Sequence, residues 1–501
     1  MPNTVATTRQ TPPTPEGDTV AGPSWTDREA AAEIMVALIG RLFRSHGVIT
    51  SVYGRSLVNQ PVKTILKIHR FARQIDGAEL PTENTLALLE TLSRLDLAPA
   101  LIDLGELNRA YHESDATNLE EFLRAELARV VGSRQSRPRQ RTDVVLYGFG
   151  RIGRLLARLM IENAAASDGL NLRAVVVRQG PGDDLTKRAS LLRRDTVHGP
   201  FEGSITVDRG TNTIVANGTP IQVIYASDPA TVDFTTYGIH DALLVDNTGR
   251  WRDRTGLAQH LAAPGIARVL LTAPGKGDLK NVVHGINHQT LTPADTLVSA
   301  ASCTTNAITP ALKVINDRFG IVHGHVETVH SFTNDQNLTD NVHPGNRRGR
   351  AATLNLVIAE TGAAKAVAKA LPELAGKLTG NSIRVPTPNV SLAILNLTLG
   401  TETDRDELNT HLRHMALHSA LRRQIAYTDS PEVVSSDFLG TPHTGIIDGL
   451  ATICTGTNAV VYVWYDNEYG YSCQVLRVME QMAGAQRPSF PAAAKSCRPP
   501  G

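Results

Sequence analysis

No stretch of this chain approaches the roughly 18 consecutive apolar residues of a membrane-spanning helix. The start, Met1-Pro-Asn-Thr-Val-Ala-Thr-Thr-Arg9, has no apolar signal segment. Neither export nor insertion is expected, and a cytoplasmic location is. An excess of one charge is also missing: 50 Lys and Arg face 49 Asp and Glu, for a net charge of +1. A chain so balanced has no field that would make nucleic acid or a membrane surface an obligatory partner, so a small molecule is the expected one. Cysteine is scarce. Cys303, Cys454, Cys473 and Cys497 are four in 501 residues, without paired metal-ligand spacing and too few for a disulfide framework, so no metal and a reducing compartment are expected. What is plentiful is the 41% of hydrophobic residues, enough to build cores in two to four domains.

Residues 1–24 are rich in Pro, Thr and Gly with almost no large apolar side chains, which predicts disorder. Thr26 and Glu29 then read as a capping box. Met35, Leu38, Ile39 and Leu42 follow at helical spacing, and Gly47 suits the position after a helix end. Leu86, Leu89 and Leu92 predict a further helix over 82–96. Thr117 and Glu120 read as a second capping box before Phe122, Leu123 and Leu127, in a helix over 117–131. Residues 25–131 are therefore expected to form a small all-helical region. Residues 132–141, with four arginines and no apolar anchor, are read as a solvated linker in preference to a nucleic-acid patch.

After the linker, Val144–Tyr147, Ala174–Val177, Ala242–Val245 and Val269–Thr272 are short β-rich runs separated by helical segments. Strands alternating with helices predict an α/β unit built on a Rossmann-type doubly wound parallel sheet. Leu395–Leu399 alternates like a half-buried strand, which points to a second, α+β domain. The end, rich in Pro and Ala, is expected to be a disordered tail over 486–501 that leaves Cys497 a bystander.

The first strand of the α/β unit leads into Gly148-Phe149-Gly150-Arg151-Ile152-Gly153, followed by Leu155, Leu156, Leu159 and Met160 on one helical face. Strand before and helix after are the context that a dinucleotide-binding glycine turn requires, with the pyrophosphate at the positive helix end. The second strand ends in Arg178-Gln179 instead of the acid usual in NAD-specific proteins. A guanidinium can pair with a 2′-phosphate, so NADP is expected alongside or instead of NAD. A surface Arg beside a neutral contact to NAD is the other reading of the same pair.

Cys303 precedes Ile308, Ala311, Leu312, Ile315 and Phe319, which lie on one helical face ending at Gly320. At that N-terminal turn the helix dipole favours an anion, so the thiol is expected to have a lowered pKa and to act as a nucleophile. His330, 27 residues on, is one of several histidines that spacing alone would allow as its partner.

From about residue 143 to 484 the chain resembles phosphorylating glyceraldehyde-3-phosphate dehydrogenase. The stretches that carry the resemblance are Tyr147-Gly-Phe-Gly-Arg-Ile-Gly-Arg154, Asp195-Thr-Val-His-Gly199, Ala301-Ser-Cys-Thr-Thr-Asn306, Thr328-Val-His330, Thr361-Gly-Ala-Ala-Lys365, Arg384-Val-Pro-Thr387 and Trp464-Tyr-Asp-Asn-Glu-Tyr-Gly-Tyr471. It implies an NAD(P)-binding domain over 142–301, a catalytic domain over 302–466 and a C-terminal helix over 467–485 that returns to the first. His330 becomes the catalytic base. Ser302, Thr304, Thr361 and Gly362 become the site for attacking phosphate, Thr333 and Arg384 the site for the substrate's phosphate. Thr248, Gly249, Thr272, Asn467 and Tyr471 become nicotinamide-side contacts. The implied reaction is the reversible phosphorylating oxidation of glyceraldehyde 3-phosphate to 1,3-bisphosphoglycerate, in glycolysis or gluconeogenesis. It runs through a cysteine thiohemiacetal and thioester, with a sugar phosphate and inorganic phosphate as partners, in a homotetramer.

The run Thr333-Asn334-Asp335-Gln336-Asn337 departs from the family pattern, which has a second Thr and then a Lys where Asp335 and Asn337 stand. A carboxylate within about 4 Å of a phosphate costs at least about 1 kcal/mol even in water. Asp335 is therefore expected to turn away, onto Arg347 or Arg348. The same Asp-Gln pair, His343-Pro344 and the double Arg occur in erythrose-4-phosphate dehydrogenases, which leaves that substrate as the alternative. An alternative of another class is a regulatory or scaffold protein that retains the fold and acts through the N-terminal helices.

Overall fold

The computed structural model describes residues 23–132, 141–164 and 169–491. The expected disorder up to residue 22, the linker from 133 to 140 and the tail from 492 to 501, Cys497 included, lie outside the described residues.

Two helix starts differ from expectation. The helix Trp25–His46 is capped by Ser24, not Thr26: the Ser24 hydroxyl accepts the N–H of Asp27 at 3.2 Å, and the Asp27 carboxylate accepts the N–H of Ser24 at 3.0 Å. Ser24 and Thr26 are both hydroxyls with an acid three residues on, and the earlier one also brings Trp25 and Thr26 into the first turn. Asn118, not Thr117, caps the helix Leu119–Glu126, because its side-chain oxygen reaches two N–H groups, of Glu120 and Glu121. Gly47 ends the first helix in the left-handed conformation, as expected.

The N-terminal region is predominantly helical, with the further helices Val62–Phe71, Thr82–Arg94 and Leu104–Glu113. It also holds a four-stranded sheet, in the order Arg55–Ser56, Ile49–Val52, Leu101–Asp103, Ser489–Phe490. The last strand comes from the opposite end of the chain, pairing in parallel with Leu101 and Ile102. Phe490, at 2% exposure, fills the same core as Met35, Leu42, Leu92 and Ile102. This corrects the expected tail: residues up to Pro491 are ordered, because a large apolar side chain within a Pro- and Ala-rich stretch finds a core far away in sequence. The region is docked on the rest of the molecule by Glu106, buried between Arg109 and Arg422, with Arg422 Nη1 2.9 Å away.

The α/β domain carries a nine-stranded sheet. Its parallel part runs Lys280–Asn281, Leu297–Ser299, Ile266–Leu271, Ala242–Asp246, Thr142–Tyr147, Leu170–Val177, Thr219–Tyr225, and Thr213–Ala216 and Ile205–Asp208 add antiparallel edges. The first strand in sequence is central, with the second and third on one side and later ones on the other. That is the Rossmann order, and it opens a crevice at the strand ends where the order reverses. Buried runs such as Val144–Tyr147 and Val175–Val177 fit a sheet covered on both faces.

The catalytic-side sheet has six strands in the order Val357–Glu360, Leu378–Val385, Ile321–Ser331, Ser391–Asp404, Gly445–Tyr465, Ile425–Thr428. The helix Cys303–Phe319 packs on it through Ile308, Ala311, Leu312 and Ile315. The other side leaves Val322, Ile358 and Ile453 more than half exposed. The helix Tyr469–Met482 lies against Arg151–Glu162, and Tyr471, Val475, Val478 and Met479 join the α/β core. No helix among the described residues is long and apolar enough to cross a membrane.

Candidate active site

Cys303 is the first residue of its helix. Ser302 is the N-cap, its hydroxyl accepting the N–H of Thr305 at 3.0 Å, and Asn306 donates back to the carbonyls of Ala300 and Ser302, both at 2.9 Å. Ala301, two residues before the cysteine, sits at φ 57°, a left-handed conformation that costs a non-glycine residue energy and is held by this network. The chain then runs down the helix, turns at Gly320 and returns along Ile321–Ser331. This brings His330 Nε2 to 3.6 Å from Cys303 Sγ. The next strand, Leu378–Val385, pairs in parallel with Arg384 opposite His330. Arg384 Nη1 lies 2.9 Å from His330 Nδ1 and 3.3 Å from the Ser331 carbonyl.

His330 Nδ1 is 2.7 Å from the Ser331 carbonyl oxygen, which it can meet only as a donor, and 2.9 Å from Arg384 Nη1, which it can meet only as an acceptor, so the two neighbours favour opposite tautomers. In the tautomer that donates to Ser331, Nε2 is a lone pair facing the sulfur, and Arg384 Nη1 turns its hydrogens to the same carbonyl. Burial, and after it the Arg384 guanidinium, hold the imidazole down to about 4, so it is neutral near pH 7. The thiol does not follow the helix-dipole expectation. Burial pushes Cys303 above its ordinary value, opposed by Arg384 and by the N–H and hydroxyl of Thr304. The dipole of one helix end does not outweigh the desolvation of this sulfur, although the residue itself is only half-buried, so the pair rests as thiol and neutral imidazole. The geometry suits proton transfer from Sγ to Nε2 on demand.

Around this pair, Arg384 Nε is buried and without a partner among the described residues, a donor left over for an anion. Thr333 donates its hydroxyl to Asp335 in a very short contact. Asp335 also accepts from Arg348 Nη1 at 2.7 Å, so it reaches Arg348 as expected, but it does not turn away from Thr333. Although burial pushes Asp335 up, Thr333, Arg384 and Arg348 together hold it below the usual carboxylate range. Thr304 is buried and shares a hydrogen with Tyr465 at 3.0 Å. Thr361 accepts the N–H of Ala363 at 3.2 Å, and Gly362 caps the helix Ala363–Ala370 with open space where a Cβ would stand.

The glycine turn fits a dinucleotide. Gly148 has φ +94°, and a Cβ on Gly153 would meet the Gly148 carbonyl oxygen at 2.4 Å, so strand and helix need both glycines to come this close. A Cβ on Gly150, the N-cap of Arg151–Glu162, would meet nothing within 4 Å, which leaves room for a pyrophosphate at the helix end. Phe149 is buried and Ile152 packs on the core. The Arg151 side chain is committed to Asp195 and Glu468. Arg178 and Gln179 are exposed just beyond the second strand, and the Arg178 guanidinium makes no hydrogen bond or ion pair among the described residues. On the other side, Thr248 bonds to Asp246 through N–H and hydroxyl, Gly249 has φ +60°, and Thr272 donates to the Asp246 carbonyl at 3.1 Å. Asn467 accepts from Ser331 and Ser391, both at 2.9 Å, and Tyr471 donates to the Ala301 carbonyl.

Sequence reasoning missed the supports. Asp246, fully buried at a strand end, holds Thr248 and lies 3.1 Å from buried His260. Its place as the acid closing an apolar strand was the available signal. Asn306, Ser331 and Ser391 carried none, since small polar residues in buried elements look alike until their partners are known. Among the described residues no group of side chains could hold a metal ion.

Comparison with known proteins gives two family matches: residues 142–254 to the glyceraldehyde 3-phosphate dehydrogenase NAD-binding domain, and residues 302–467 to its C-terminal domain. A glyceraldehyde-3-phosphate dehydrogenase-like protein of Pseudomonas aeruginosa is 60% identical over 460 residues, covering 91% of this chain and all of that protein. A match of that length cannot fit within the residues after Gly132, so it takes in most of the N-terminal region. Glyceraldehyde-3-phosphate dehydrogenases of Zymomonas mobilis and Bacillus subtilis are 40% and 39% identical, each covering 68% of this chain and 98% of the relative.

Proposed function

The chain belongs to the glyceraldehyde-3-phosphate dehydrogenase family, and from that footing we propose that Cys303 and His330 carry its chemistry as nucleophile and base. The protein is an NAD-dependent oxidoreductase of that family. The observation that carries the assignment of residues is the 3.6 Å approach of Sγ to an Nε2 lone pair, beside a buried Arg384 with a free donor.

In this reading Cys303 gives its proton to His330 Nε2 as the sulfur attacks the aldehyde carbon, forming a thiohemiacetal. His330 hands that proton on and takes the hydroxyl proton as the carbon loses hydride. The bound oxidised nicotinamide supplies the two-electron acceptor. The product on the enzyme is a thioester. An inorganic phosphate oxygen attacks its carbonyl carbon, the C–S bond breaks, and the acyl phosphate leaves as the thiol is restored. Arg384 and Thr333 are assigned to the substrate phosphate, with Thr333 released from Asp335 on binding. The hydroxyls of Ser302 and Thr361, the N–H groups at Thr304 and the open helix end at Gly362 are assigned to the attacking phosphate.

Residues 142–301 are read as the NAD(P)-binding domain, 302–466 as the catalytic domain and 467–485 as the helix that closes on the first. The two family matches support that division. NADP use is supported by the uncommitted Arg178 beside uncharged Gln179. A homotetramer is supported by Val322, Ile358 and Ile453 on the catalytic sheet, and a reducing cytoplasm by unpaired Cys303, Cys454 and Cys473. Erythrose 4-phosphate is the second substrate reading, carried by Asp335 on Arg348.

Steady-state turnover tests the proposal: glyceraldehyde 3-phosphate and erythrose 4-phosphate, each with NAD and NADP, with and without phosphate. Steady turnover of the triose phosphate that needs phosphate and vanishes in Cys303→Ser is expected. Turnover that survives Cys303→Ser would sink the mechanism, and an NAD preference unchanged by Arg178→Ala would sink the NADP reading.

A further inference from the structure

Where the N-terminal region meets the catalytic domain, the two leave a cleft of about 640 Å³ between them, the size of a site for a ligand of metabolite dimensions. One wall comes from the turn and helix of the N-terminal region, with Arg55, Gln60, Thr64 and Ile68. The other comes from the catalytic domain, with Arg413, Thr428, Ser430, Phe438 and His443. Neither wall makes a pocket alone.

The cleft carries two guanidinium groups, Arg55 and Arg413, and two carboxylates, Asp429 and Asp437. Asp429 stands 3.6 Å from Arg413, and Asp437 is engaged by the N–H of Val434 at 2.8 Å. Arg55, exposed at the edge of the cleft, has no side-chain hydrogen bond or ion pair among the described residues, and its guanidinium carbon lies 3.6 Å from the centroid of the Phe71 ring. Stacking fixes the plane of a guanidinium and leaves its N–H donors free for a ligand. His443, facing it, offers no counter-charge. Burial, and after it the Arg55 charge, hold the imidazole neutral. A fixed guanidinium fork with hydroxyl and amide donors around it, next to the aromatic and aliphatic surface of Phe438 and Ile68, matches a phosphate ester with an organic body.

We propose that this cleft binds a phosphorylated small molecule, with Arg55 gripping the phosphate and the N-terminal region serving as half of the site. The cleft floor includes Gly440 and Tyr469. Their N–H groups both donate to Asp466, which is followed directly by Asn467 on the Ser331 network. The site therefore abuts the support of His330 without belonging to it. The proposal is independent of the catalytic reading, because its test measures binding.

Isothermal titration of the full chain with adenosine 5′-monophosphate and, separately, with inorganic phosphate decides it. Saturating NAD and an Arg384→Ala background keep both probes out of the cofactor and substrate-phosphate sites, and binding at the attacking-phosphate site is told apart because it does not respond to Arg55→Ala. Saturable binding of adenosine 5′-monophosphate is expected, weakened tenfold or more by Arg55→Ala and by Ser56→Trp, which fills the mouth from an exposed position. Binding of inorganic phosphate with the same sensitivity would assign the grip to free phosphate, overturning the organic ligand. Absence of saturable binding by either probe, or binding indifferent to both substitutions, would overturn the site itself. In the otherwise native chain both variants keep turnover, which certifies that they fold.

Discussion

The acid limb of catalysis tests the electrostatics of His330 most directly. The imidazole falls from an ordinary 6.5 to about 4, which at about 1.4 kcal/mol per pH unit is roughly 3 kcal/mol against the charged form. Burial is the larger cause and Arg384 the next, so the guanidinium accounts for less than half, about 1 kcal/mol. Arg384→Met removes the charge and keeps the bulk. The limb, where rate rises with pH as the base loses its proton, is expected near pH 4 in the native enzyme and up to about one unit higher in the variant. The assay is the pre-steady-state burst of reduced nicotinamide with unphosphorylated glyceraldehyde. That substrate has no phosphate of its own to titrate or to bind Arg384. Enzyme kept at neutral pH is jumped to each assay pH, so slow unfolding does not intrude. A native limb at about 6.5, or a variant limb that stays put or moves down, would refute the argument.

Three further outcomes follow from the same structure. His284, His330 and His443 are held down by burial to about 2, 4 and 3, so the unfolded chain binds more protons below pH 6.5. Stability is then lost as pH falls, by up to about 4 kcal/mol per unit for the three together, and a urea midpoint that stays level from pH 6.5 to 4.5 would contradict this. Gly153→Ala drives a methyl into the Gly148 carbonyl and should weaken NAD at least tenfold in a fluorescence titration while Cys303 stays open to alkylation. Phe490→Ala should cost the N-terminal region about 3–5 kcal/mol. Hydrogen exchange should quicken in Ile49–Val52 and Leu101–Asp103 and not in Thr142–Tyr147, and uniform exchange would show that the packing does not matter.

Much of the fold was legible because its signals are local. Val144–Tyr147 followed by three glycines and an apolar helical face declares strand, turn and helix within twenty residues. Cys303 at a helix start was readable from the face formed by Ile308, Leu312 and Ile315. His330 was not readable from spacing, because a 3.6 Å contact across a helix, a turn and a strand depends on register, and only the family resemblance singled it out. The thiol's direction was misjudged for a similar reason: the helix dipole is visible in sequence, but the depth of burial that opposes it is not. Ser489–Phe490 escaped because a two-residue strand has no periodicity, and its partner lies at the other end of the chain.

That distant pairing has a bearing on biosynthesis. The core around Met35, Leu42 and Leu92 cannot close until Phe490 has been made, and its slot stays an open apolar groove while the two domains between them are synthesised. A chain cut short before Ser489 would then do its damage on the far side of two intact domains.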